Sequence, residues 1–354
     1  MTGGKNAEFV DKIEEFALSH PEILGVHDLV VHDYGPGRLM ISFHAEVPAN
    51  GDILQEAVSG TGTTVFGNGN DTMTITANSS VATAMTVKDK TTLVIGADNV
   101  DGAVANNGTV NLGAGTLGSY TITGGSIVIG GAVRANADNL ASANGITNNV
   151  ADQVLTLTGG DIKDNISGAG TVSIGGTVTS AKNIANKVVI AATSGNFTVT
   201  DGIISGAVEN NGTFAITDGS VTGGISNTVS GILNVSGGTI STGAVANAGT
   251  FNITGGTVSS AVTNDLTMNV SGGEVTGVIT NNADGTLTIS GTGKVHKVTN
   301  TGTMEVNYVA GLLDDITNTN GVVNFNAEGT LAMGSTITGG TINVKANITA
   351  DAGD

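Results

Sequence analysis

The sequence predicts a mainly β protein: a parallel β-solenoid of about 18 residues per rung, preceded by a small α+β segment ordered α-β-β-α. Three observations carry this prediction. A phrase Val/Ile-x-Asn returns at Val208-Glu209-Asn210, Ile225-Ser226-Asn227, Val245-Ala246-Asn247, Val262-Thr263-Asn264, Ile279-Thr280-Asn281, Val298-Thr299-Asn300 and Ile316-Thr317-Asn318, its asparagines 17, 20, 17, 17, 19 and 18 residues apart. Between returns, stretches such as Thr250-Phe251-Asn252-Ile253-Thr254 place apolar residues at every second position, the period of a strand with one inward face. Finally, 55 glycines, no tryptophan and 3% aromatic residues leave too little bulk for an ordinary globular core, while 39% hydrophobic and 12% charged residues set the chain apart from a disordered polymer.

Up to residue 58 the composition is that of a globular domain, with ten acidic residues, three basic ones and all three prolines. Phe9, Ile13, Phe16 and Ala17 fall at helical spacing, and Ser19-His20-Pro21 stops that helix because proline cannot continue its hydrogen bonds. Two apolar stretches, 23–31 and 39–47, joined by Asp33-Tyr34-Gly35-Pro36-Gly37, predict a hairpin. Asn50-Gly51-Asp52 then caps 53–57, a second helix of one or two turns.

The wording His20-Pro21-Glu22-Ile23-Leu24-Gly25-Val26-His27-Asp28-Leu29, His32-Asp33-Tyr34-Gly35-Pro36-Gly37-Arg38 and Ser42-Phe43-His44-Ala45-Glu46-Val47 resembles the cytoplasmic C-terminal domain of cation diffusion facilitator transporters, which export zinc and similar divalent metals. The resemblance covers residues 7–57. It implies an α-β-β-α-β fold, a homodimer formed through this domain, and zinc or another divalent cation held in part by His27 and His44, which match the family's metal-binding histidines. Imidazoles on adjacent strands are suitable zinc ligands. Two inherited histidines that hold no metal are the plainer alternative. The family's later His-x-Asp ligands, third strand and transmembrane helices have no counterpart here, so a truncated domain, unable to transport alone and joined in a chimeric fashion near residue 58, is expected.

From Ser59-Gly60-Thr61-Gly62-Thr63-Thr64 onward a Gly/Thr/Asn/Ser language takes over. Residues 59–95 are expected to be an irregular linker or N-terminal cap, and 96–354 the solenoid, long enough for about 14 rungs. One rung has too few apolar groups to fold alone, whereas stacked rungs bury a continuous column. Asn210, Asn227, Asn247, Asn264, Asn281, Asn300 and Asn318 are expected to form a structural ladder, because a primary amide can donate to and accept from its copy on the next rung. Val104-Ala105-Asn106 is read as an upstream member of the same set.

This repeat style resembles the passenger regions of bacterial autotransporters and adhesins, β-helices displayed on cell surfaces. The resemblance implies a non-enzymatic role with a host or surface glycan or protein as partner. A net charge of −18 argues against nucleic acid and anionic membrane as partners. No window of 18 apolar residues occurs, so no membrane span is expected, and the first 20 residues lack a signal-peptide pattern. The compartment stays open, since the repeats point to a cell surface and the first domain to the cytoplasm. The nearest approach to the paired carboxylates of a glycan-cleaving solenoid is Asp314-Asp315, with His296 about one rung earlier. No arginine follows Arg134, and an enzyme is not expected.

Overall fold

A computed structural model describes residues 4–20, 23–33, 39–46, 63–67, 72–75, 84–331 and 337–349. The first domain contributes α1 (Gly4–Leu18), β1 (Gly25–Asp33) and β2 (Leu39–Glu46). Past the end of α1, the Ser19 hydroxyl donates to the Phe16 carbonyl at 2.6 Å. β1 and β2 pair antiparallel, with Gly25 opposite Glu46 and His27 opposite His44. The second helix expected at 53–57 lies outside the described residues.

The rest is a parallel β-solenoid of about 15 turns, each of about 18 residues. Most of the described turns lay short strands on three faces, visited in the same order. The first face opens with Thr63–Phe66, Ala84–Val87 and Val104–Asn106; the second with Thr72–Ile75, Thr92–Gly96 and Thr109–Gly113; the third with Gly115–Thr116 and Val133–Ala135. Coiling therefore starts upstream of residue 96. Met85 pairs with Val104 and Leu93 with Val110, both in parallel register, so the stretch 59–95 contains solenoid turns and is not simply a linker or cap. Met85, Val87, Leu93 and Ile95 are buried at alternate positions. The Val/Ile-x-Asn phrase is absent there, which hid an inward pattern that is otherwise regular.

The core is a set of stacked columns. On the first face Phe197, Phe214, Leu233, Phe251, Met268, Leu287, Met304 and Val323 follow one another in register, all buried. Phe197 and Phe214 stack at 5.6 Å between ring centroids, 5° from parallel. Each turn covers the inward face of the one before, so side chains too few to close a globule exclude water as a column. Tight corners need glycine. Gly256 and Gly273, the second residues of their Gly-Gly pairs, have φ of +70° and +64°, and a Cβ on Gly273 would come within 2.6 Å of Gly255 and Gly256 backbone atoms.

The recurring asparagine changes corner along the rod. Asn106 ends a first-face strand, and its amide donates to the carbonyls of Gly124 (3.3 Å) and Ser126 (2.9 Å), not to another asparagine side chain. It shares the phrase Val-x-Asn-Asn-Gly-Thr with Asn210 but stands apart from the ladder of seven that begins there. Asn148 and Asn186 occupy the corner before the third face, and from Asn210 the residue stands at the corner where the third face gives way to the first. The two changes span 42 residues (Asn106 to Asn148) and 24 residues (Asn186 to Asn210), each about a third of a turn more than whole turns.

Candidate functional site

The seven asparagines from Asn210 to Asn318 stand in one buried line. Nδ2 of each donates to Oδ1 of the next: 2.7 Å for Asn210 to Asn227, Asn227 to Asn247, Asn247 to Asn264, Asn264 to Asn281 and Asn281 to Asn300, and 2.8 Å for Asn300 to Asn318. The same Nδ2 donates to a backbone carbonyl further along, as Asn247 does to Thr267 at 2.8 Å. Oδ1 of Asn210, at the start, accepts from the Gly212 amide at 3.2 Å. Both amide hydrogens and the oxygen are engaged along the line, as buried polar groups require. The ladder has no atom to spare for a ligand.

The outward positions carry different chemistry. On the third face Thr263, Thr280, Thr299, Thr317 and Thr338 stand in register on successive turns. On the first face Thr250, Thr267, Thr286 and Thr303 do the same beside Asn234, Asn252 and Asn269, whose amides link at 2.9 Å. Neutral hydroxyls and amides are thereby repeated at strand spacing, about 4.8 Å. A shallow depression of about 450 Å³ on the third face is edged by Lys187, Glu209, Ser226 and Thr228. Lys187 Nζ lies 3.0 Å from Glu209, and that hydrogen bond, aided by Asn211, holds the Glu209 carboxyl below its ordinary range.

The carboxylate cluster has a member that the sequence reading missed. His296 Nε2 lies 2.7 Å from Glu274 Oε1, and Nδ1 lies 2.9 Å from Asp314 Oδ2. Glu274 was legible in principle, because it follows Gly272-Gly273 at the position that pairs with Lys294 one turn later. The histidine ring fills the space between the two acids.

On the first domain, His27 and His44 face each other across β1 and β2, as residues of one exposed surface. A bulge after His27 and a left-handed Asp28 (φ 54°) turn the Asp28 carboxylate toward His44 Nδ1, 3.1 Å away, while His27 Nε2 meets Glu46 at 2.7 Å. The donors pair off and do not converge. Among the described residues no group of three or more His, Asp or Glu is arranged to hold a metal ion. An apolar groove of about 600 Å³ between α1 and β2 is lined by Ile13, Phe16, Ala17, Ile23 and Phe43, with Phe16 70% exposed.

No described helix is long and apolar enough to cross a membrane. Residues 6–57 match the family model of the cation efflux protein cytoplasmic domain. No curated protein and no solved structure matches the chain.

Proposed function

We propose that this chain is a non-enzymatic display rod of the adhesin type, which offers neutral threonine and asparagine columns to a glycan or protein at a surface and carries a partial cation-efflux domain at its front. The observation behind this reading is the division of labour in each turn. Inward amides satisfy one another completely, so the core spends no polar group on ligand, while Thr263, Thr280, Thr299, Thr317 and Thr338 repeat one outward hydroxyl in register. Such a face suits a partner that is itself extended and repetitive. The purified chain on beads, challenged with arrays of glycans, matrix proteins and cell surfaces, is expected to retain at least one class, and replacing Thr280, Thr299 and Thr317 by valine is expected to abolish that retention. Retention by no array, or degradation of a polysaccharide panel by the chain, would end the reading.

A second reading concerns the first domain alone. The family match, the exposed Phe16 and Phe43, and the opposed His27 and His44 support a homodimerisation module that responds to zinc or a similar divalent cation. Sedimentation should find a dimer, and calorimetry should find zinc binding that a His27→Ala, His44→Ala double variant loses. Equal titrations for the two proteins would remove the metal part of this reading.

A further inference from the structure

Both ring nitrogens of His296 point at carboxylate oxygens on different turns, Glu274 below and Asp314 above. A neutral imidazole carries one N–H and one lone pair, so it can satisfy only one such oxygen and sets its lone pair against the other. The imidazolium donates to both. Charged groups around it are Glu274 on the turn below, Lys294 and Lys297 on its own turn, and Asp314 with its neighbour Asp315 on the turn above.

The cluster stands where the backbone ladder of the second face thins. Below it that face pairs residues two by two: Ser220–Val221 with Thr239–Ile240, Thr239–Ile240 with Thr257 and Val258, those two with Glu274 and Val275, and Glu274 and Val275 with Lys294–Val295. Above it only the single bridge between Val295 and Leu312 continues the ladder, and the following segment turns through a short 3₁₀ helix, Val309–Gly311. The Leu313 amide donating to Val295 (3.0 Å), the Val298 amide donating to the Asp315 carbonyl (3.3 Å) and the buried Val309 and Leu312 hold 309–315 to the turn beneath, and the His296–Asp314 contact is a side-chain tie between the two turns.

We infer that His296, as an imidazolium between Glu274 and Asp314, is a proton-operated staple that fixes the 309–315 segment to the turn below, and that the segment loosens when the ring loses its proton. The hydrogen bond the ring donates to Glu274, with that to Asp314 and the two negative charges, outweighs burial and raises the histidine above its ordinary value of 6.5. A group whose folded pKa is raised contributes fully below the unfolded value, and that contribution fades as pH rises through the folded value. The staple is therefore closed below the ordinary histidine value and opens as pH rises through the raised one.

Hydrogen exchange of the full chain, corrected for the intrinsic pH dependence of exchange, tests this between about pH 5.5 and about pH 8.5. Peptides covering 307–315 are expected to lose protection with rising pH, by up to about tenfold for each unit by which the histidine is raised, while those covering 245–264 hold constant. In His296→Gln the dependence at 307–315 should vanish. An NMR titration of the imidazole nitrogens in the unmodified chain gives a second readout, with a midpoint above 6.5 that falls in Asp314→Asn. A midpoint at or below 6.5, or an equal loss of protection in His296→Gln, would overturn the proposal.

Discussion

Asn227 and Asn247 are 20 residues apart, yet their side chains meet at 2.7 Å, the same distance that joins Asn210 to Asn227 across 17. Extra residues are absorbed at corners. Between these two asparagines the chain makes an added turn at Thr228-Val229-Ser230-Gly231, closed by the Gly231 amide on the Thr228 carbonyl at 2.8 Å, with Val229 pushed into solvent. The inward column and the ladder set the spacing of the turns, and the outer loops take up the difference.

The ladder should therefore be costly to interrupt. Asn264→Ala removes the acceptor for Asn247 and the donors to Asn281 and Thr286, leaving buried polar groups short of partners. A loss of about 2 to 4 kcal/mol is expected, read from the denaturant midpoint, with hydrogen exchange opening first in 245–286. Asn264→Asp should be worse at neutral pH and partly recover in acid, where the protonated carboxyl can donate. A midpoint equal to that of the unmodified chain would show that the ladder adds nothing.

The aromatic column makes a different prediction. Phe214 stacks on Phe197 below and meets Leu233 above, so that site tolerates a leucine on one side and demands volume on the other. Phe214→Ala should cost about 3 to 5 kcal/mol, and Phe214→Leu less than about 1.5 kcal/mol. Thermal or chemical unfolding of the two variants side by side checks the ratio.

Glycines separate by position. Gly273→Ala combines a left-handed backbone with a Cβ against Gly255 and Gly256 and is expected to cost at least about 2 kcal/mol. At Gly224 the nearest atom to an added Cβ is the Ala244 carbonyl oxygen at 3.5 Å, an ordinary contact, so Gly224→Ala should stay within about 1 kcal/mol of the parent. Similar losses at the two sites would refute the corner argument.

Surface charge should matter little. The Lys187–Glu209 pair is half exposed, and Lys187→Ala is expected to change stability by less than about 1 kcal/mol. Because that contact lowers the Glu209 carboxyl, its small contribution is present above the usual carboxylate range and disappears as pH falls through the lowered value. Denaturation midpoints at about pH 7 and about pH 3 should differ less in the variant by that amount.

Much of this architecture was legible because the solenoid repeats its chemistry at fixed spacing. Asn210 through Asn318 announce a corner, and Thr-x-x-x strands such as 286–289 announce an alternating face. The turns at 63–95 were harder to see, since their inward residues Met85, Val87, Leu93 and Ile95 carry no asparagine marker. Asn106 shows the converse: it keeps the phrase but stands at another corner, a difference that the phrase alone does not encode. The surface clusters were least legible. Asp28 reaches His44 only because a bulge reverses its direction, and Glu274 reaches His296 across one turn of coil, relationships that arise from register and not from adjacency along the chain.

The migrating asparagine bears on how such a rod can be re-aimed. At each change of corner the asparagine falls about six residues later in its turn, roughly one face, while the inward column continues on either side. The asparagine column downstream is then presented one face further around the axis. The bearing of a column around the axis is thus set by where in the turn its phrase falls, and the same alternating inward pattern serves every bearing.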